Sequence, residues 1–309
     1  MQDQPNILPV YQNTRQNSKK KEFQEPKKRK KKSDPLQNTG NYWKQKANDA
    51  FNNNNLETAI EYYTQAIEID SSQSIYYSNR GKCYKKLDKI KQAFDDAVHA
   101  IELDENNIKA QLLCGQTLCE IGKNEKSNQK ILNGIKRLTR AFTLCSGNKK
   151  QQYEKDISIY IYRAKKLLWY KQYEDLKQKK MELLESYKKQ IESQNLSQEN
   201  TQDEINKFIQ FIGDPYQQQE LSIPDYLVCK ISLDLMEDPV ITECGQTYEK
   251  VVLDEHFKKN GYIDPITRKQ ISQKVYTNLS VKQGIQEFLN INPWAFEFSQ
   301  YENYKTIEF

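Results

Sequence analysis

Two lysines and two asparagines pose the first chemical question: Lys44, Asn48, Asn79 and Lys109. Lysine supplies positive charge, and the asparagine amide supplies directed N–H donors. Brought to one surface, the quartet favours carboxylates. A peptide ending in Asp offers two carboxylates on one residue, so such a surface reads chain ends rather than internal segments. Cysteine and histidine chemistry is sparse. Residues 222–298 hold only Cys229, Cys244 and His256 as zinc ligands, far short of the roughly eight that a two-zinc structural unit needs. Either thiol becomes a nucleophile only beside an activating base. His256 falls in a helical stretch and is expected to be a structural hydrogen-bonder.

The elements that would carry the quartet repeat along the chain. Between about residues 40 and 148, Ala47, Gly81 and Gly115 stand 34 apart, as do Ala59 with Ala93 and Ala66 with Ala100. That is the period of the tetratricopeptide repeat (TPR), whose small residues sit where the two helices of a hairpin touch. Trp43 and Tyr77, four residues before Ala47 and Gly81, fit the pattern, as do Tyr63 and Tyr84. Three repeats follow, at about 40–73, 74–107 and 108–148. The second helix of the third is delayed by about seven residues, at Lys126 to Asn133, which predicts a longer loop there. The first helix of each repeat faces a concave groove. Lys44 and Asn48 lie on the first such helix, Asn79 on the second and Lys109 on the third.

The quartet at these places resembles the two-carboxylate clamp of TPR co-chaperones. The resemblance implies a ligand: the acidic tail, Glu-Glu-Val-Asp, of cytosolic heat-shock chaperones of the seventy- and ninety-kilodalton classes. By the same resemblance Lys86 is an auxiliary tail-binding lysine and Phe51 an apolar wall. Leu112 and Leu113 stand where aromatics occur in close relatives, and Leu113 also occupies a clamp position often held by Arg.

Residues 153–194 predict one long helix. Trp169, Tyr173, Leu176, Lys180, Leu183 and Tyr187 alternate four and three apart, the spacing of a heptad seam. Ile205, Phe208, Ile209 and Ile212 then form a short apolar stripe, ended by Gly213-Asp214-Pro215. A helical hairpin able to self-associate is the reading.

Beyond about residue 222 the character changes. Pro239-Val240-Ile241-Thr242 and Thr247-Tyr248 flank Cys244-Gly245 as a short hairpin. Val252 to Asn260 reads as a helix closed by Gly261, Asp264-Pro265 as a turn, and Ser280 to Asn290 as a last helix. A metal-free unit of this size must rely on polar networks and a small apolar core. The stretch from Ile223 to Val240, with Gly245 to Tyr248, Glu255-His256, Gly261, Asp264 to Arg268, Asn278-Leu279 and the Trp294 region, closely resembles a U-box. The resemblance implies that Ile231, Leu233 and Pro265 dock a ubiquitin-conjugating enzyme. It implies too that Arg268 bridges that enzyme and its ubiquitin through a planar donor fork. Leu233 replaces a more usual aromatic.

The whole layout is thus mainly α. A basic tail at 1–38, expected to be disordered, precedes a TPR domain at 39–148 and a helical linker at 149–221. A small α+β U-box follows at 222–298, then a tail at 299–309. TPR repeats, helical linker and U-box in that order resemble the CHIP-type chaperone-associated ubiquitin ligases. The implied partners are heat-shock chaperones, conjugating enzymes, ubiquitin, misfolded clients and a second copy of the chain. No cofactor, membrane or specific nucleic acid is expected. The alternative is a non-enzymatic TPR co-chaperone scaffold with an inactive U-box.

Bulk properties bound these readings. The net charge of +5 is modest, and part of it comes from the run Lys27 to Lys32, a nuclear-signal pattern. The six cysteines show no C-x-x-C pair and read as reduced thiols of a cytosolic or nuclear protein. No apolar run approaches the length of a membrane span.

Overall fold

The computed structural model describes residues 39–146, 153–193, 198–217, 221–297 and 307–309. The basic run and the whole N-terminal tail, residues 1–38, lie outside the described residues. The described chain is mainly α-helical, with one small sheet near its end.

Six helices form three antiparallel hairpins: α1 (Gly40–Asn52) with α2 (Leu56–Ile69), α3 (Ser74–Lys86) with α4 (Ile90–Leu103), and α5 (Ile108–Asn124) with α6 (Asn128–Ser146). Side chains supply some of the helix starts. Thr39 Oγ1 accepts from the Tyr42 N–H, and Asn107 Oδ1 accepts from the Ala110 N–H at 3.1 Å. Each hairpin turns through one left-handed residue, Asn54, Asp88 or Lys126. Asn and Asp accept that conformation more readily than most residues. The small residues of the repeat set the inter-helix distance: a Cβ at Gly81 would come within 2.7 Å of Leu113 Cδ2.

The third hairpin departs from expectation. The delayed register produces no long loop: only Glu125–Ser127 separate the two helices. Instead α5 has 17 residues and α6 has 19, against 13 or 14 in the four helices before them. Glycines make this possible. Cβ atoms at Gly115, Gly122 and Gly134 would lie 2.6, 2.7 and 2.5 Å from Leu138, Ile131 and Cys119. The helices touch backbone to side chain along their added turns.

The 39-residue α7 (Glu154–Glu192) first packs its Ile157, Ala164 and Leu167 against α6 and then leaves the repeat array. Its far end pairs with α8 (Gln198–Ile212), where the Tyr187 and Phe208 rings stack 4.0 Å apart. Leu184 and Ile191 are buried there, whereas Leu176 and Leu183 of the heptad seam stay half exposed.

The last unit is a three-stranded antiparallel sheet in the order β2-β1-β3 with two helices. Its parts are β1 (Pro239–Ile241), β2 (Thr247–Glu249), α9 (Lys250–Asn260), β3 (Tyr276–Thr277) and α10 (Leu279–Ile291). Val240 faces Tyr248 on one side and Thr277 on the other. Leu227, Met236, Val240, Tyr248, Leu253 and Ile285 fill the core.

This unit is fastened to α7. The buried Lys166 ammonium donates to the carbonyls of Phe296 at 2.6 Å and Glu297 at 2.8 Å. Arg163 grips the Glu297 carboxylate through two nitrogens at 2.9 and 3.0 Å, and Tyr162 stacks on Phe296. The final residues return to the repeats: Ile307 is buried against Ile131 and Leu167, and its carbonyl accepts from Lys123 at 2.9 Å.

Candidate functional site

Two surfaces gather the expected site residues. On the repeats, α1 places Lys44 one helical turn before Asn48, α3 carries Asn79 and α5 carries Lys109. The Tyr63 hydroxyl of α2 joins the two asparagines. It donates to Asn48 Oδ1 at 2.7 Å and receives a hydrogen bond from the Asn79 amide. Burial, then the neighbouring Cys83, hold that phenol well above its usual pKa, so it remains a donor. By claiming the Asn48 oxygen, it turns the two amide N–H donors outward. Behind this row Arg80 clamps Asp96 at 2.7 and 2.9 Å and reaches Thr64 at 3.1 Å, fixing α3 against α4 and α2.

Phe51 lies half buried, with the ammonium of Lys86 4.6 Å above its ring. A second ammonium, from Lys82, stands 5.1 Å from the same ring. Burial, then the charges of Lys109 and Lys86, push Lys82 below the usual lysine range, so these three cations are neighbours. Among the described residues, no carboxylate lies within salt-bridge reach of Lys44, Lys82, Lys86 or Lys109. Some lysines elsewhere are paired, as Lys123 with Glu120 at 2.9 Å and Lys282 with Asp238 at 2.8 Å. Like charges held together without a partner leave room for an anion.

Leu113 does not join this surface. It is 4% exposed, packed over Gly81 in the core of the second and third repeats, and has nothing to offer a ligand. Leu112 packs into the seam of α5 with α6 and α7. Sequence reading missed Tyr63 and Lys82 as site residues. Tyr63 was visible only as a repeat position. Lys82 shares a helix face with Asn79 and Lys86, at spacings of three and four.

The second surface is built from two loops of the last unit. An isolated bridge, Val228 with Leu235, closes the loop bearing Ile231 and Leu233, and another, Ile263 with Gln270, closes the loop bearing Pro265 and Arg268. Asp264 ties the second loop to the sheet. Its buried carboxylate accepts from Thr267 N at 2.8 Å, Thr267 Oγ1 at 3.0 Å, Ile266 N at 3.1 Å, Thr242 Oγ1 at 3.0 Å and the Tyr248 hydroxyl at 3.1 Å. Burial pushes its pKa up, but bonds from Thr267, Thr242 and Tyr248 outweigh that and hold it below the usual range. Glu249 ties the first loop: one carboxylate oxygen accepts the N–H groups of Glu237 and Asp238 at 2.7 and 2.9 Å.

On this frame Leu233 is 76% exposed. It and Arg268 both have positive φ, 62° and 56°. Left-handed backbone costs a non-glycine residue about 1 kcal/mol, and such strain gathers at working surfaces. Ile231 and Pro265 are half buried, and Arg268 projects into solvent. Cys229 is fully buried and accepts the Glu249 N–H, while His256 donates from Nε2 to the Ile263 carbonyl at 3.0 Å and receives from Asn260. Neither is arranged as a nucleophile with its base.

A U-box domain model matches residues 223–294, and a tetratricopeptide repeat model matches residues 45–73 and 75–107. The chain therefore carries tetratricopeptide repeats and a U-box. In layout it is similar to the E3 ubiquitin-protein ligase CHIP of Arabidopsis thaliana: it is 29% identical to it over 270 residues, covering 82% of this chain and 94% of that protein. Two further likenesses touch the TPR part alone. Human serine/threonine-protein phosphatase 5 is 40% identical over 80 residues, 26% of this chain and 16% of that protein. The heat shock protein sti1 homolog of Schizosaccharomyces pombe is 34% identical over 113 residues, 32% of this chain and 19% of that one.

Proposed function

We propose that this chain is a U-box ubiquitin-protein ligase whose TPR groove takes the acidic C-terminal tail of heat-shock chaperones. The observation that carries the reading is the union of two surfaces on one chain: a groove whose ammoniums meet no carboxylate among the described residues, lined with amides, and a U-box with an exposed apolar loop. Lys44 and Lys109 would neutralise the two carboxylates of a terminal Asp, and Asn48 and Asn79 would direct N–H donors at them. Lys86 and Phe51 would line the peptide upstream. Ile231, Leu233 and Pro265 would hold the conjugating enzyme, and Arg268 would fix its thioester-linked ubiquitin in a reactive pose.

The chemistry then comes from tethering. The conjugating enzyme supplies the reactive cysteine, and a lysine of the chaperone-bound, misfolded client attacks the thioester. Both are held on one molecule, so their effective concentration is high. Selection lies in the chaperone and its tail, not in a client motif. A second copy of the chain is a further partner, supported by Leu176, Leu183 and Phe211, which are 54, 52 and 85% exposed on the hairpin. The basic run Lys27 to Lys32 supports a cytosolic protein with access to the nucleus.

Variants test the division of labour. Lys44→Ala is expected to abolish binding of a peptide with a free C-terminal Asp and leave discharge of a loaded conjugating enzyme intact. Ile231→Ala and Pro265→Ala are expected to do the reverse. Full transfer by both U-box variants would remove the docking assignment, and a wild-type protein that discharges no conjugating enzyme would leave only a scaffold.

A further inference from the structure

We infer that Lys82 is a specificity residue of the TPR groove, selecting peptides with an acidic side chain one or two residues before their free C-terminus. The inference rests on the tail-binding reading above and extends it to a residue outside the quartet.

Its first support is placement. Asn79, Lys82 and Lys86 follow one another along a single face of α3. The amide of Asn79 belongs to the Tyr63-linked pair that would hold the terminal residue. Three helical residues advance about 4.5 Å and an extended peptide about 3.3 Å per residue. Lys82 therefore stands beside the first or second residue upstream of the terminus, and Lys86 beside the next. The second support is the surroundings. Lys82 and Lys86 share the Phe51 ring, at 5.1 and 4.6 Å, which seats both heads over an apolar floor. Lys109 faces Lys82 from α5, and among the described residues no carboxylate answers any of the three.

Packed cations of this kind repel one another until an anion enters. The terminal carboxylates answer Lys44 and Lys109 but leave Lys82 and Lys86 side by side without an anion. An upstream Glu or Asp would settle that charge with a charge-assisted hydrogen bond, and a Gln would not. The apolar underside of the site, Phe51, would at the same time take the aliphatic part of the peptide side chain.

The test uses the full chain and two labelled decapeptides ending in Asp, one with Glu and one with Gln at the two positions immediately before it. The wild type is expected to favour the Glu peptide by about five- to tenfold. Lys82→Gln is expected to erase that preference by weakening the Glu peptide much more than the Gln peptide, and Lys82→Arg to restore it. Equal weakening of both peptides by Lys82→Gln, or no weakening of either, would overturn the role of Lys82 alone. An amidated C-terminus that binds as well as the free acid would remove the parent reading and this inference with it.

Discussion

Asp264 sits 0% exposed beneath the loop that carries Pro265 and Arg268. Replacing it by Ala would strand the buried hydroxyl of Tyr248, leave Thr242 only its 3.4 Å bond to the Gln246 carbonyl, and leave two backbone N–H groups of the loop unanswered. A buried donor left without a partner costs about 1–3 kcal/mol. Asp264→Ala is therefore expected to lower U-box stability by about 2–4 kcal/mol in denaturant unfolding and to abolish conjugating-enzyme discharge, with tail binding unchanged. Its depressed pKa also sets a sign. The stabilisation is present above the ordinary aspartate pKa, about 3.9, and is lost as pH falls below it through the lower folded value. Melting temperature measured from pH 6 to pH 3 should drop in the wild type and be flatter in Asp264→Asn. In the groove, Tyr63→Phe frees the Asn48 amide to rotate and is expected to weaken tail binding by about three- to tenfold at a stability cost of about 1 kcal/mol. The U-box itself was legible because its sequence pattern is dense. The Asp264 hub was read from sequence only as a turn, since its partners Thr242 and Tyr248 lie 22 and 16 positions away. Leu113 failed for a related reason: a helix position next to the groove and one turned into the repeat interface differ by one residue, which periodicity alone resolves poorly.

At the scale of elements, small residues govern the repeats. A 34-residue spacing announced the first two hairpins and the small positions that join their helices. The third differs from its expected long loop because the delay of about seven residues is taken up by longer helices, which Gly122 and Gly134 allow to touch closely. Gly115→Val is accordingly expected to cost about 2–3 kcal/mol by overpacking against Leu138, read as a lower midpoint of thermal unfolding. The hairpin of α7 and α8 behaves differently. α8 covers its heptad seam around Tyr187, while Leu176 and Leu183 stay half exposed. If a second copy covers that face, Leu176→Asp with Leu183→Asp should shift the mass measured by light scattering from dimer to monomer. An unchanged monomer in the wild type would dispose of self-association.

At the scale of the molecule, the U-box is fixed to the repeats rather than strung from them. Lys166 caps the carbonyls of Phe296 and Glu297, Arg163 holds the Glu297 carboxylate, and Ile307 returns to the third hairpin and α7. The distance from tail groove to docked conjugating enzyme is thereby set by packing. The order of modules was plain in the sequence; this fastening was not, because it joins residues about 130 positions apart. In the proposed mechanism a client is modified because its chaperone and the loaded enzyme are held on one chain. The most direct measurement is the rate of ubiquitin transfer to a purified, tail-bearing chaperone, with and without excess free tail peptide. Transfer should fall at least tenfold with the peptide, while discharge of the conjugating enzyme onto free lysine stays constant. Transfer to the chaperone that ignores the peptide would contradict the claim.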